Sequence, residues 1–295
     1  TYYMVTTNVG AGNFFVKTQD PFGEWSDPIM LPEVTGIDPS FFFDEDGKAY
    51  LVNNDDAPDN KPEYSGHRTI RVQEFDVNAD KTVGPRKILV NKGARPEDKP
   101  IWIEGPHLYK INGNYFLMSA EGGTAGWHSE VIFRGDSPTG KFIPWKNNPI
   151  LTQRQLDAER PNPVTCAGHA DLVQTREGDW WAVFLACRPI NNTFENLGRE
   201  TFMMPVKWSE DGFPYMTQGD DLVPVIVRRG EPRHLPGHPD GQRGELPQIS
   251  HLPIPHHAAS TDADAVPAAY GKKAVAHPFQ RRMGGGLSGN LQHQA

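Results

Sequence analysis

The chain has 295 residues, of which 37% are hydrophobic and 10% aromatic, enough to core one large all-β domain or two smaller ones. A formal net charge of -8 and the lack of any basic stripe argue against a nucleic-acid-binding surface. No apolar run approaches the length of a membrane span. Two cysteines, Cys166 and Cys187, are too few for a disulfide framework, and their apolar neighbours mark both as buried free thiols.

The first residue is Thr1 rather than Met, and Tyr2 to Thr6 reads as the second half of a strand, so the chain is expected to start partway through a structural unit. Strand-like runs at Tyr2–Thr7 and Phe14–Lys17 flank the turn Gly10-Ala11-Gly12. A Pro/Gly-rich outer connection, Asp20 to Pro28, follows. Residues 33–100 form a second unit, with strands expected near 40–44, 48–53, 68–76 and 85–90 and a polar loop from Asp55 to Gly66. A third unit spans 101–150, with Gly135 to Phe142 as its outer connection, and a fourth spans 163–208, before a turn at Asp211-Gly212. Gln153 to Arg160 has room for one helical turn, and no stretch sustains helical periodicity. The fold class is therefore all-β.

The third unit opens with Ile101-Trp102-Ile103-Glu104-Gly105-Pro106, in which a carboxylate stands between apolar residues and a turn-forming pair. Apolar runs then flank Asn112-Gly113, a strong hairpin signal. A carboxylate at the mouth of a buried hairpin is disfavoured as a charge, unless a Lys or Arg pairs with it. The same layout recurs as Asp38-Pro39-Ser40 with Asp46-Gly47, and as His169-Ala170-Asp171 with Glu177-Gly178. The turn glycines Gly47, Gly113 and Gly178 are thus 66 and 65 residues apart, by subtraction of their numbers. Such a period, with several short strands per unit, predicts a β-propeller or a related array. In a propeller the leading acids Asp38, Glu104 and Asp171, with His169, would converge at the axis.

After about Val227 the character changes. Residues 228–295 hold two aromatics, Tyr270 and Phe279, and seven of the eleven histidines, with many prolines and the run Gly284-Gly285-Gly286. This composition predicts a disordered tail beyond a globular domain at 1–227. It resembles out-of-frame coding sequence more than an evolved domain. His251, His256 and His257 lack a Cys or carboxylate at ligand spacing, which disfavours a metal site.

Four ordered motifs resemble glycoside hydrolase family 43, the β-xylosidase and α-L-arabinofuranosidase group. They are Gly36-Ile37-Asp38-Pro39-Ser40-Phe41-Phe42-Phe43-Asp44, Ile103-Glu104-Gly105-Pro106-His107-Leu108-Tyr109, Gly168-His169-Ala170-Asp171-Leu172-Val173, and Leu197-Gly198-Arg199-Glu200-Thr201-Phe202. The resemblance covers residues 1 to about 226. It implies a five-bladed β-propeller, here with about four blade-like units, that hydrolyses glycosidic bonds of xylo- or arabino-oligosaccharides with inversion. It further implies Glu104 as general acid and Asp38 as the carboxylate that raises and orients it. Arg199 is then a sugar contact in the -1 subsite. His169 either helps to hold a water-coordinated Ca2+ or is a satisfied core histidine. Trp127, Phe42 and Arg188 are further expected substrate contacts, with Arg188 equally open to a reading as a buried structural partner and Trp102 and Trp127 able either to stack on sugar or to fill the core. No other cofactor is expected, and neither nucleic acid nor a membrane is an expected partner.

The family's general base is an Asp in the first blade, upstream of the Asp38 motif, and no residue here matches it. An inverting hydrolase needs that base to activate water, so this chain alone is expected to be nearly inert. The invertase and fructanase group, which also uses Asp, Asp and Glu, is disfavoured because its Arg-Asp-Pro and Glu-Cys signatures are absent. A non-catalytic carbohydrate-binding propeller is the alternative from a different class.

Overall fold

The structure is a computed structural model and describes residues 1–224 and 226–227. The tail expected at 228–295, with its histidines, lies outside the described residues. Among the described residues seventeen strands follow one another: β1 (Tyr2–Asn8), β2 (Gly12–Thr18), β3 (Ile29–Met30), β4 (Ile37–Phe43), β5 (Ala49–Asp56), β6 (Arg68–Asp76), β7 (Lys81–Asn91), β8 (Glu104–Ile111), β9 (Asn114–Glu121), β10 (Ser129–Gly135), β11 (Ile143–Pro144), β12 (Leu151–Thr152), β13 (Thr165–Gln174), β14 (Trp180–Cys187), β15 (Glu200–Pro205), β16 (Lys207–Trp208) and β17 (Pro214–Tyr215). Helical structure among the described residues is confined to single 3-10 turns at Pro58–Asn60 and Pro96–Asp98. The helical turn expected at 153–160 is instead a pair of tight turns, in which Leu156 N–H donates to Gln153 O and Arg160 N–H to Asp157 O.

The strands form successive antiparallel meanders: β1-β2-β3, β4-β5-β6-β7, β8-β9-β10-β11 with β12 also on β10, β13-β14-β15, and the short pair β16-β17. The first four of these match the four units expected from the sequence, and the pair β16-β17 follows them. The hairpin glycines reverse the chain in two ways. Asn112 and Gly113 have φ of 50° and 75°, the two left-handed residues of a type I′ turn, and join Ile111 directly to Asn114. Gly47 and Gly178 instead close three-residue turns. In each, the residue three before the glycine accepts its N–H (Asp44 O at 3.1 Å, Thr175 O at 3.0 Å). Gly212 repeats that turn on Ser209 O at 3.0 Å.

The first strands β4 and β8 pack side by side through bonds at nearly the sequence period. Ser40 Oγ donates to Pro106 O at 2.6 Å, Lys110 Nζ to Asp44 Oδ1 at 3.1 Å, and Tyr115 Oη to Asp44 Oδ2 at 2.6 Å. Toward β13, Tyr109 Oη donates to Asp171 Oδ1 and accepts the Leu172 N–H at 2.9 Å. Toward β1, Asp38 N–H donates to Thr7 Oγ1 at 3.2 Å.

The cores lie between consecutive sheets. Phe15, Leu31, Leu51 and Phe75 join the first sheet to the second, with Phe41 edge-on to Phe15 at 5.5 Å. Val52, Ile70, Val72, Ile103, Leu117 and Phe133 join the second to the third. Phe116, Met118, Ile132, Phe184, Phe213 and Met216 join the third to the fourth and to β17. Each fully buried side chain of this size contributes roughly 1.5–3 kcal/mol by transfer alone. Behind β4 a buried polar knot tightens the second sheet: Asp55 Oδ2 takes Arg86 at 2.8 Å, Arg71 at 3.3 Å and the Thr35 hydroxyl at 2.9 Å.

Gly36 enters β4 at φ 83°, and a Cβ there would lie 1.9 Å from Asn54 O, a backbone atom that cannot swing away. Gly36→Ala combines left-handed strain, about 1–2 kcal/mol, with that clash. A destabilisation of about 2 kcal/mol or more is expected, read as a lower denaturant midpoint. An unchanged midpoint would show that the approach of β4 to β5 is not rigid.

Candidate active site

The first strands β4, β8 and β13 each carry a β-bulge near the start. The register breaks between Ile37 and Ser40 in β4, between Glu104 and His107 in β8, and between Gly168 and Asp171 in β13. One residue of each bulge is left-handed: Asp38 at φ 53°, Gly105 at 54° and His169 at 55°. Gly105-Pro106, expected as a turn, is therefore a kink within β8. The kinks also correct the alignment of the repeat. Asp38 corresponds to Gly105 and His169, while Glu104 corresponds to Ile37 and Gly168, and Asp171 to Ser40 and His107. Relative to Asp38, Glu104 thus stands one position earlier in its bulge and Asp171 two positions later, so the leading acids keep only nearly the same step.

The bulges still bring the acids together. Asp38 Oδ2 accepts the Gly105 N–H at 3.2 Å, which sets its carboxylate beside the residue following Glu104. Glu104 is 8% exposed. Burial, then the neighbouring Asp38 charge, pushes its pKa up to about 7, against the opposing pull of Arg199 and Arg68. Asp38, Glu104 and Arg199, 161 residues apart from first to last (199 minus 38), thus share one electrostatic environment.

Glu104 is held from behind by the second sheet. Arg68, on β6, donates to Asn54 Oδ1 through Nε at 3.2 Å and a terminal nitrogen at 2.9 Å, and Asn54 Nδ2 donates to Ile103 O at 2.5 Å. The same guanidinium lies over the Trp102 ring at 4.9 Å. Trp102, at φ 52° and 40% exposed, therefore offers a cation-braced ring two residues from Glu104.

His169 packs on Gly105 so closely that a Cβ there would lie 2.2 Å from its Nε2. Burial lowers the His169 pKa, opposed by Asp38 and reinforced by His107 and Arg199. Behind it, Glu130 on β10 accepts the Ala170 N–H at 2.8 Å, and burial pushes its carboxyl well above the ordinary range. His128 donates from Nδ1 to Cys166 O at 2.8 Å and is pushed toward its neutral form by burial.

Calcium prefers six to eight oxygen ligands. Beside His169 the oxygen donors are the Asp38 and Asp171 carboxylates, both close enough to favour its charged form. An imidazole is a poor direct ligand for this ion, so the site fits Ca2+ only through water. Among the described residues, the cluster of three His, Cys, Asp or Glu donors tight enough to hold an ion directly is Cys166, Cys187 and Glu195, which does not include His169.

The other expected contacts lie elsewhere. Phe42 is 8% exposed and packs on Tyr50 and Tyr115 at ring distances of 6.3 and 6.1 Å, so it is a core residue and not a sugar platform. Its alternation on β4 turns it into the interface between sheets. Arg188 forms a two-pronged ion pair with Glu200, with Nε to Oε2 at 2.9 Å, rather than meeting the Asp38–Glu104 pair. Trp127 is 73% exposed and lines a cavity with Arg95, Ile101, Glu121 and Arg154, a lining that excludes Asp38, Glu104 and Arg199. Sequence reasoning missed Arg68, Asn54 and Glu130, which sit in ordinary strand alternation and carry no local signal of a site.

These charges make two expectations measurable. Glu104 should titrate near pH 7 by carboxyl carbon NMR, and Asp38→Asn should lower that value by removing a like charge. An unchanged midpoint in Asp38→Asn would break the coupling. Because the folded pKa lies above the unfolded 4.5, stability falls as pH rises from about 4.5 to about 7, by on the order of 3 kcal/mol. Glu104→Gln should therefore raise the melting temperature at pH 8 and leave it nearly unchanged at pH 4.5. Equal effects at both pH values would contradict this.

Comparison with known proteins accords with this geometry. A sequence profile described as Glycosyl hydrolases family 43 matches residues 1–214. A xylosidase/arabinosidase of Butyrivibrio fibrisolvens is 45% identical over 221 residues, covering 74% of this chain and 41% of that protein. A non-reducing end alpha-L-arabinofuranosidase, BoGH43B, of Bacteroides ovatus is 39% identical over 239 residues, covering 80% of this chain and 41% of that protein. The crystal structure of a GH43_12 retrieved from a capybara gut metagenome superposes with a TM-score of 0.68 at 48% identity, covering 78% of this chain and 42% of that one. The chain thus spans about two fifths of the length of these relatives. Within that span the all-β sheets and the matching profile together make it a member of glycosyl hydrolases family 43.

Proposed function

We propose that the chain belongs to a glycoside hydrolase that removes xylosyl or arabinofuranosyl units from oligosaccharides with inversion. Glu104 acts as general acid, Asp38 as the charge that tunes it, and Arg199 as a sugar contact. The observation that carries the reading is the raised pKa of Glu104, about 7, produced by burial and by Asp38. A general acid works best with a pKa near the operating pH, because it is then protonated yet still able to release its proton. Burial of one carboxyl beside a second is the pattern that keeps a general acid protonated. The names of the relatives, xylosidase/arabinosidase and alpha-L-arabinofuranosidase, support the substrate class.

The successive meanders, with β4, β8 and β13 innermost, fit blades of a five-bladed propeller whose axis carries the site. Trp102, braced by Arg68, is the better candidate for a sugar platform near Glu104, with Trp127 on a separate cavity. Ca2+, if bound, would be held through water by His169 with Asp38 and Asp171, and would supply positive charge beside the acid pair. The water-activating base is assigned to none of these residues.

In transfer to water, the leaving alkoxide of a xylo-oligosaccharide needs a proton in the transition state, whereas a nitrophenolate leaves unaided. In the intact enzyme Glu104→Gln should therefore lower kcat on xylobiose by about 10²–10⁴-fold. On p-nitrophenyl xyloside the loss should be much smaller. Asp38→Asn should instead move the neutral limb of the pH profile to lower pH. Equal losses of Glu104→Gln on both substrates would remove Glu104 from the acid role. Xylobiose binding with no turnover of either substrate would favour a carbohydrate-binding propeller instead.

A further inference from the structure

The two cysteines of the chain lie outside the site just described, yet they are not placed at random. β13 and β14 pair Thr165 with Cys187, and the register breaks directly after Thr165. Cys166 takes up that break at φ 54°, which turns its side chain beside Cys187. Both thiols are free and nearly closed off, at 8% and 3% exposure. A third donor reaches them from the loop between β14 and β15. That loop is closed on itself by Ile190 N–H to Phe194 O at 2.8 Å and by Gly198 N–H to Glu195 O at 2.8 Å, which points Glu195 back at the strand ends. Glu195 Oε1 lies 3.6 Å from Cys166 Sγ and accepts the Thr165 hydroxyl at 2.9 Å. The two sulfurs and the carboxylate oxygen all lie within 4.8 Å of one another.

We propose that Cys166, Cys187 and Glu195 form a Zn2+ site that pins the 190–198 loop to the roots of β13 and β14. Tetrahedral zinc, with Zn–S about 2.3 Å and Zn–O about 2.0–2.2 Å, sets ligand separations of roughly 3.5–3.8 Å, and the sulfur–oxygen approach already has that value. Thiolates select zinc or Cu(I), and a carboxylate alongside them favours zinc. The Thr165 hydroxyl supplies the outer hydrogen bond that orients a ligating carboxylate. A cross-strand disulfide would use the same two sulfurs but gives no reason for a carboxylate held against them. Glu195 is exposed, so the metal has an entry path from the loop side, and the fourth position stays open to water.

Only the thiolate form ligates zinc, so each thiol gives up its proton on binding. Binding therefore releases two protons to solvent as two Zn–S bonds form. Affinity should fall by up to about a hundredfold for each pH unit lost. The carboxylate balances part of the charge and needs no proton change at neutral pH.

Co2+ serves as the optical probe on the full, reduced chain. Its near-ultraviolet thiolate charge-transfer band reports only these two residues, because the chain has no other cysteine and imidazoles do not give the band. The expected result is one equivalent of Co2+ with that band, bleached by Zn2+, together with slower reaction of both thiols with a disulfide reagent when Zn2+ is present. Cys187→Ser should abolish the band. Glu195→Gln, an exposed change that leaves the strands intact, should keep the far-ultraviolet dichroism and weaken Co2+ binding at least tenfold. Absence of the band after full reduction, or thiol reactivity unaffected by Zn2+, would overturn the proposal. So would unchanged Co2+ affinity in Glu195→Gln, which would remove the carboxylate from the site.

Discussion

The hydrogen bond from the Gly105 N–H to Asp38 ties the first strand of one sheet to the first strand of the next at the point where the chain must bury a carboxylate. Neither group is costly in that contact, since each has its hydrogen-bond partner. The cost falls on Glu104. It has little water and a like charge nearby, and it carries its proton into the neutral range as a result. The sheets pack around this arrangement: Asn54 and Arg68 hold Ile103 from one side, and His169 closes on Gly105 from the other.

Glycine at 105 is required twice over. Its φ of 54° suits a residue without a Cβ, and the space a Cβ would occupy is taken by the His169 ring. The equivalent positions 38 and 169 carry larger residues in the same left-handed conformation, at a strain of about 1–2 kcal/mol each. Such strain persists where surrounding structure over-determines it, and here each kink re-aims a titratable side chain that regular pleating would have sent elsewhere. Three strained bulges side by side are thus the means by which an ordinary set of antiparallel meanders acquires a charged centre.

That centre works against stability. Burial raises the carboxyls of both Glu104 and Glu130, so each favours the folded state less as pH rises. The sheets offset this through apolar layers such as Phe116, Phe133 and Phe184 and through the Asp55–Arg86–Arg71 knot, none of which touches the acid pair. Division of labour between a packed scaffold and a destabilised site is common where activity needs an uncomfortable group.

Alternation, turn residues and the 65–66-residue repeat were enough to make the chain all-β, to place most strands within a few residues and to single out Asp38 and Glu104, whereas Arg199 came only from the resemblance of its motif to family 43. Those features are local, or repeat at fixed spacing, and so survive in one dimension. The β-bulges were not legible. Gly105-Pro106 reads as a turn in isolation, and only pairing with β9 turns it into a kink that shifts every later side chain to the other face. For the same reason Phe42 could be read as a sugar contact, although its neighbours Tyr50 and Tyr115 come from two different hairpins. Asn54 reaches the Ile103 carbonyl and Arg68 the field of Glu104, and Cys166, Cys187 and Glu195 meet, only through tertiary packing. The sequence by itself determined which residues bear chemistry. Tertiary structure decided which of them share a dielectric environment, because charge coupling depends on distance through space and on exclusion of water, and neither is written along the chain.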